Sequence, residues 1–303
     1  MTSPPAPASP ASTASPTGTA SPASTAASPD GLLAGKAAIV TGAAHGVGRA
    51  VAELLTEHGA SVLLADVDEA ALRSALRDLG GSTVTLAADL AGPAAPATVV
   101  AAAIESFGGL DIIVNNAGYN LNARFAQMSD DTWEQMLAIH VSAPFRLLRA
   151  AAPHLAAAAE RDQASGREVF RKVVNVSSIA VMGSAFQANY AAAKAAVVGL
   201  TKSLAKEWGS LRVNVNAVAF GSVDTRLTRP RTPDNVLQAG PAPVQLGLSP
   251  RLVEEAAATI PFGRIATARE AAGGVFLLCT PWSDWITGQL IMVSGGQTFG
   301  MSA

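Results

Sequence analysis

The chain has 303 residues, of which 49% are hydrophobic and 15% are charged, and its formal net charge is -2. This size predicts one large α/β domain, and the balanced charge argues against a nucleic acid or a membrane as partner, since both require clustered Lys and Arg. The single cysteine, Cys279, excludes an intrachain disulfide, and its apolar neighbours indicate a buried side chain in a protein of the reducing cytoplasm.

The first 33 residues are rich in Pro, Ser and Ala and carry no charge before Asp30. Such a segment cannot bury enough apolar surface to offset the entropy of ordering it, so we predict a disordered tail and a single folded domain over residues 34–303. The tail lacks the cationic start and apolar centre of a secretory signal. No later apolar run is long enough to span a membrane.

A glycine-rich turn follows the first predicted strand, Ala37 to Thr41. After it, short β-branched runs alternate with longer helical stretches, which is typical of βαβ units around a parallel sheet. Glycines in such a turn allow close approach of a phosphate to the N-terminus of the next helix, although the spacing differs from G-x-G-x-x-G and an ordinary loop is the alternative. The predicted cofactor-binding residues of the turn are Gly42, His45, Gly46, Val47 and Gly48.

An acidic residue, Asp66, ends the second predicted strand. Its position suits hydrogen bonds from the adenosine ribose hydroxyls, and a carboxylate there repels a 2′-phosphate. Asp66 could instead cap the helix that begins near Glu69, but Asp68 could serve as that cap. His45 is the nearby residue that could soften the preference. The sequence therefore favours NAD, with NADP as the alternative.

Small residues follow the fourth predicted strand. Asn116, Ala117 and Gly118 let the backbone pass close to a cofactor, so we predict that they line its site. The amide of Asn115 is suited to cross-linking adjacent strands instead.

Tyr190 and Lys194 are four residues apart in an Ala-rich helical run, so both should project from one helix face. A fixed cation beside a phenol favours the phenolate, so we expect Tyr190 to exchange a proton near neutral pH. The strand before this helix should deliver Ser177 and Ser178 to the same edge of the sheet. Taken alone, such a pair is more often part of a solvated helix surface.

Together, the turn Thr41–Gly48, the segment Asn115–Gly118 and the pair Tyr190/Lys194 resemble the short-chain dehydrogenase/reductase family over nearly everything after residue 34. The segments Gln187–Tyr190 and Ile260–Arg264 are similar to its 3-oxoacyl reductases. The resemblance implies a Rossmann-type doubly wound parallel sheet of about seven strands in three layers, α/β/α. It also implies hydride exchange between NAD(H) and the carbon of a small-molecule ketone or secondary alcohol.

The resemblance assigns the catalytic roles. Tyr190 transfers the hydroxyl proton, Lys194 lowers the pKa of Tyr190 and holds the nicotinamide ribose, and Ser178 orients the carbonyl oxygen. Aligning strand ends selects Ser178, which we prefer, whereas counting back from Tyr190 selects Ser177. Only one of these serines can face the site, because side chains alternate along a strand.

The resemblance implies further cofactor contacts. Asp89 and Leu90 would contact the adenine, although a loop cap is an alternative role for Asp89. Beyond the sixth strand, Gly221, Val223 and Thr225 would meet the nicotinamide carboxamide or a phosphate.

His140 lies in a predicted helix from about Asp131 to Ala152, at a position that is usually Asn in the family. There the backbone carbonyl holds a water that links the catalytic lysine to solvent, which requires a local break in the helix. Pro144 has no N–H to donate to the His140 carbonyl, so the sequence predicts that break. The imidazole could titrate in a proton relay or pack in the core. We treat His140 as a candidate catalytic residue.

Residues 222–262 are rich in proline and are predicted to form a substrate lid. Its Arg226, Arg229 and Arg231 could attract an anionic substrate tail or could simply be exposed. The resemblance implies that the last strand and the Tyr190 helix build a homotetramer, with a homodimer as alternative, and no metal site is predicted. Two alternatives stay open, an alcohol dehydrogenase of a specialised metabolite and a cofactor-binding scaffold that has lost turnover.

Overall fold

Alternating strands and helices build the architecture of this chain. The computed structural model describes residues 31–238 and 243–297. Most of the predicted tail, residues 1–30, and residues 239–242 of the predicted lid lie outside the described residues. The strands are β1 (Ala37–Thr41), β2 (Ser61–Asp66), β3 (Thr83–Ala87), β4 (Ile112–Asn115), β5 (Arg171–Ser178), β6 (Val213–Phe220), β7 (Val236–Leu237), β8 (Val244–Gln245) and β9 (Leu290–Val293).

In the described part of the chain, seven strands form one parallel sheet in the order β3-β2-β1-β4-β5-β6-β9. The central strands are buried on both faces, which explains their continuous β-branched and apolar sequence. The strand order reverses between β1 and β4, and in such sheets ligands bind beyond the carboxyl ends of the strands at this reversal. The predicted doubly wound Rossmann-type fold is confirmed.

Helices cover both faces of the sheet. They are α1 (Gly46–Glu57), α2 (Glu69–Leu79), α3 (Ala95–Phe107), α4 (Asp130–Leu137), α5 (Ala143–Ala164), α6 (Ala188–Glu207), α7 (Pro250–Ala258) and α8 (Ala268–Cys279). One apolar cluster joins the sheet to α1, α2 and α8, and a second joins it to α3, α5 and α6. No helix in residues 31–238 and 243–297 is both long and apolar enough to cross a membrane.

The folded part of the chain includes residues that the predicted boundary left in the tail. Leu33 is only 2% exposed, and its N–H donates to the His58 carbonyl at 2.8 Å. The boundary at residues 33 and 34 therefore lies too late, because composition could not reveal that two leucines at the end of the tail pack against α1.

The helix that contains His140 is interrupted, as Pro144 predicts. A π-helical segment, Ala138–Ser142, separates α4 from α5, and α5 continues to Ala164, twelve residues beyond the predicted end at Ala152. Because Pro144 has no N–H to donate to the carbonyl four residues earlier, the helix takes a wider π-helical turn here instead of continuing as an α-helix.

The outer edge of the sheet at β9 is apolar. Trp282, Trp285 and Met292, which lie on β9 or just before it, are 64%, 94% and 42% exposed. The homotetramer stays a prediction, which a measurement of the molar mass in solution would test.

Cys279 is buried as predicted, and burial raises the pKa of its thiol to about 12.

Candidate active site

A cavity of about 1040 Å³ lies beyond the carboxyl ends of the sheet strands. Every cofactor-binding and catalytic residue that the sequence analysis singled out lines this cavity. The fold thus brings together segments that are up to about 180 residues apart in the chain, as expected for a site at a strand-order reversal.

The glycine-rich turn is closed by contacts that leave no room for side chains. A Cβ on Gly48 would lie 2.1 Å from the Gly42 carbonyl oxygen, and Gly42 itself has φ 65. Asn116 Nδ2 donates to the carbonyls of Thr41 and Gly42 at 2.9 and 3.2 Å. At these glycines no side chain covers the backbone, which lies at the N-terminus of α1, where anions bind.

Thr41 and Asn115 fix the neighbouring strand end. Thr41 Oγ1 accepts the N–H groups of Asn116 and Ala117 at 2.9 and 3.0 Å. Asn115 Nδ2 donates to Asn175 Oδ1 at 2.8 Å, which cross-links β4 and β5 as the sequence analysis expected.

Two aspartates divide the roles at the end of β2. Asp68 Oδ1 accepts the Ala71 N–H at 3.0 Å and so caps α2. Asp66 faces the cavity, and its oxygens accept the N–H groups of Ala44 and Asp68 at 3.0 and 3.1 Å. His45 Nε2 contacts Asp68 Oδ2 at 2.9 Å, which holds the imidazole beside this aspartate pair. Asp68 thus serves as the helix cap, and Asp66 remains available to the cavity.

The two residues after β3 combine a loop contact with a place in the cavity wall. Asp89 Oδ1 accepts the Ala91 N–H at 3.0 Å, which is the loop-cap alternative, and Asp89 also lines the cavity. Leu90 is 5% exposed and contributes apolar surface to the same wall.

Tyr190 and Lys194 lie one turn apart on α6. Lys194 Nζ is 5.5 Å from the centroid of the Tyr190 ring and donates to the Val176 carbonyl at 2.7 Å. Burial raises the pKa of Tyr190 to about 12, and a hydrogen bond with Ser178 only partly opposes this shift. Burial also lowers the pKa of Lys194 to about 7.

The expected lowering of the Tyr190 pKa by Lys194 is wrong for this structure. The loss of water around the phenol outweighs any help from the cation, because desolvation penalises the charged form of each group. The helical spacing predicted correctly that the two side chains are neighbours, but it contains no information about their burial.

The two serines at the end of β5 point in different directions. Ser178 contacts the Tyr190 phenol, and its Oγ accepts the Ala180 N–H at 3.1 Å. Ser177 is 2% exposed, and its Oγ donates to the Lys194 carbonyl at 3.0 Å. This geometry agrees with the preference for Ser178, whose catalytic role stays a prediction.

His140 is buried beside the cofactor wall. Its Nε2 donates to the Tyr119 carbonyl at 2.8 Å, and its ring meets that of Tyr190 edge to face, with centroids 5.1 Å apart. A Cβ on Gly118 would lie 2.1 Å from His140 Cε1, so the imidazole occupies space that only glycine leaves free.

The imidazole of His140 is neutral near physiological pH. Burial and then the nearby Lys194 hold its pKa well below its usual range, and the bond to Tyr119 opposes them only in part. Since the carbonyl of Tyr119 can only accept, Nε2 carries the proton, and Nδ1 is buried with no hydrogen-bond partner among the described residues. Of the two roles considered for this side chain, the structure favours packing over a titrating relay.

The predicted lid contains the hairpin β7/β8 and α7. Its arginines are engaged within the lid region: Arg226 donates to the Val236 carbonyl at 2.9 Å, Arg229 pairs with Asp224, and Arg231 donates to the Gly247 carbonyl at 3.2 Å. The structure therefore gives no support to these arginines as receptors for an anionic tail. Thr225, with Gly221 and Val223, lies at the base of the lid and lines the cavity.

Several cavity residues escaped the sequence analysis. The lid contributes apolar side chains, and the turn before α6 contributes Phe186, which has φ 65. A positive φ at a non-glycine residue leaves no signal in a single sequence, and the direction of a lid side chain depends on tertiary contacts. In residues 31–238 and 243–297, no three His, Cys, Asp or Glu side chains come together as metal ligands.

Comparison with protein families gives a match over most of the chain. The sequence model described as enoyl-(acyl carrier protein) reductase matches residues 42–298. The 3-oxoacyl-(acyl-carrier-protein) reductase FabG of Vibrio cholerae is 35% identical over 265 residues, which is 87% of this chain and 98% of the relative. The short-chain reductase protein NovJ of Streptomyces niveus is 35% identical over 263 residues, 86% of this chain and 93% of the relative.

A solved structure gives a consistent result. The 3-ketoacyl-(acyl-carrier-protein) reductase of Brucella melitensis, complexed with NADH, aligns with a TM-score of 0.74 and 26% sequence identity. The alignment covers 88% of this chain and 100% of the other.

Proposed function

Because this chain belongs to the short-chain dehydrogenase/reductase family, on its 3-oxoacyl-reductase-like branch, we propose that it exchanges a hydride between NAD(H) and a ketone or secondary alcohol. The observation that carries the proposal is the meeting of Tyr190, Ser178 and Lys194 at one cavity with the bare glycine turn. A proton donor and a phosphate-binding backbone in one cavity are what this reaction requires.

The residues present suit a dinucleotide. The Cβ positions on Gly42 and Gly48 are filled by neighbouring protein atoms, so glycine is required to close the turn at the N-terminus of α1, where a pyrophosphate would bind. The Asp66 carboxylate, which lines the cavity, is the proposed acceptor of hydrogen bonds from the ribose hydroxyls. The bound nicotinamide would supply the hydride chemistry.

In the reductive direction, Tyr190 acts as the proton donor. With a pKa of about 12, the phenol keeps its proton at neutral pH and can pass it to a carbonyl oxygen as negative charge develops there. Ser178, in contact with the same phenol, orients that oxygen by a second hydrogen bond. Lys194, fixed by the Val176 carbonyl beside the ring, favours the phenolate that remains after transfer.

His140 acts as a positioning residue. Its bond to the Tyr119 carbonyl ties the π-helical segment to the loop after β4, and its ring supports one edge of Tyr190. It holds the proton donor in place without exchanging a proton itself.

The experiment for this function measures NADH and NADPH consumption against a panel of ketones that includes short and long 3-oxoacyl thioesters. We expect NADH to be preferred, and Asp66→Ala should shift the ratio of NADPH to NADH activity by about tenfold or more, because it removes a like-charge contact with the 2′-phosphate. Asp89→Ala is the control, which should affect both cofactors alike.

Two outcomes would contradict the proposal in different ways. An unchanged cofactor ratio in Asp66→Ala would remove the ribose role of Asp66. Binding of NADH with no turnover of any ketone in the panel would instead support the cofactor-binding scaffold.

A further inference from the structure

Phe186 lies in the turn between β5 and α6, lines the cavity and is 60% exposed. Its φ is 65, and in the described part of the chain Arg212, with φ 57, is the only other non-glycine residue in the left-handed region. A Cβ makes this conformation strained, and glycine would relieve the strain. The chain therefore keeps a large aromatic side chain where backbone energetics favour glycine.

Contacts on both sides hold Phe186 in this conformation. Its carbonyl accepts the Ala123 N–H at 2.9 Å, and Gln187 Nε2 donates to Asn122 Oδ1 at 3.0 Å. The turn before the Tyr190 helix is thus fastened to the loop after β4. Strained residues that their surroundings hold in place occur most often at functional sites, and this one borders the proposed proton donor.

The lid supplies further apolar surface to the same cavity. Its lining includes the leucines Leu227, Leu237, Leu246, Leu248 and Leu252. The charges of this wall are engaged elsewhere: Arg226 is bonded to Asn235 and Val236, and Glu255 is paired with Arg251. The lid side of the cavity therefore offers hydrocarbon contact without a free charge.

We propose that Phe186 is a specificity-determining residue, which forms one wall of an apolar subsite for a bulky, uncharged hydrocarbon group attached to the ketone carbon. The inference rests on the proposed function, since it names the substrate class of the same site. Aromatic side chains contribute large contact areas to such subsites. Arg124 is exposed, lines the same cavity and follows Ala123 in the chain, so the proposal covers the group next to the ketone carbon and leaves the far end of the substrate unspecified.

The test compares Phe186→Gly with Arg212→Gly. Both substitutions relieve a left-handed φ, but Arg212 does not line the cavity and pairs instead with Glu168. We expect Phe186→Gly to lower kcat/KM for acetophenone at least about tenfold more than for 2-butanone, with the KM for NADH unchanged. Arg212→Gly should leave the ratio of the two ketones unchanged.

A binding measurement keeps this inference separate from the proposed function. Prodan is an uncharged naphthyl ketone whose fluorescence reports transfer to an apolar site, so its affinity can be titrated without turnover. Phe186→Gly should weaken its binding at least about fivefold, and Arg212→Gly should not. Equal affinities in all three proteins, or equal losses for both ketones in Phe186→Gly, would overturn the role of Phe186. Absence of NADH oxidation with retained, Phe186-dependent prodan binding would overturn only the proposed function.

Discussion

The two walls of the cavity are built in different ways. On the cofactor wall, backbone and amide groups are bonded across neighbouring strands, as in the contacts of Asn116 with the glycine turn and of Asn115 with Asn175. On the lid wall, leucines face the cavity and the polar side chains bond to one another or to the lid backbone. This difference supports the proposal that the hydrogen-bonded cofactor wall (the bonded wall) positions the reacting groups, whereas the apolar lid wall selects the substrate.

The largest expected effect comes from adding one methyl group to the bonded wall, which tests whether this wall positions the reacting groups. Gly118→Ala should lower kcat about a hundredfold, because its Cβ would lie 2.1 Å from His140 Cε1 and force the imidazole away from Tyr190. Adding His140→Ala removes the obstacle but also the edge support of Tyr190, so the double variant should be as active as His140→Ala alone. Steady-state rates with NADH and one ketone measure both effects.

Gly199→Ala provides the control for this pair. Gly199 lies on α6 with Tyr190, and a Cβ there meets nothing within 4 Å. Its activity should stay near that of the unmodified protein. If the double variant were clearly less active than His140→Ala alone, the claim that Gly118 makes room for the His140 imidazole would be wrong.

A smaller effect is expected in how the rates of ketone reduction and alcohol oxidation depend on pH. Because burial raises the pKa of Tyr190 to about 12, the phenol stays protonated from pH 6 to 9, and Tyr190 should give ketone reduction no pH dependence in this range. Alcohol oxidation needs the phenolate as base, so its rate should rise about tenfold per pH unit. Initial rates in both directions across this range measure the two profiles.

The opposite profile has a clear meaning. Reduction that falls about tenfold per unit above pH 7, with flat oxidation, would contradict the raised pKa of Tyr190 and show that a group with a near-neutral pKa, either Tyr190 or Lys194, controls the rate. His140→Asn should leave the shape of either profile unchanged, since the imidazole is neutral throughout.

The bonded wall was largely predictable from the sequence, because its residues lie next to strands and helix breaks that a short stretch of sequence reveals. Gly42 follows directly on β1, Gly48 lies in the first turn of α1 and Asp66 ends β2, so fold topology fixes their place at the carboxyl edge of the sheet. Pro144 likewise revealed the helix break, because a missing N–H has the same consequence in any helix.

The rest depended on contacts that a single sequence does not contain. The pKa of Tyr190 follows from burial by distant elements, and the strain at Phe186 follows from a hydrogen bond to Ala123. Arg226 bonds to a hairpin whose strand pairing could not be derived from the prolines of the lid. Leu33 belongs to the fold only because α1 happens to cover it.

The measurement that tests the central claim most directly is the rate of NADH oxidation by a ketone in Tyr190→Phe and Tyr119→Phe. The chain has two tyrosines, and both line the cavity, so each variant removes one phenol from the same site. We predict that Tyr190→Phe lowers kcat about 10²- to 10⁴-fold while NADH binding, followed by fluorescence, changes by less than about threefold; Tyr119→Phe should retain most of its activity. Equal rates in the two variants would contradict the assignment of Tyr190 as the proton donor.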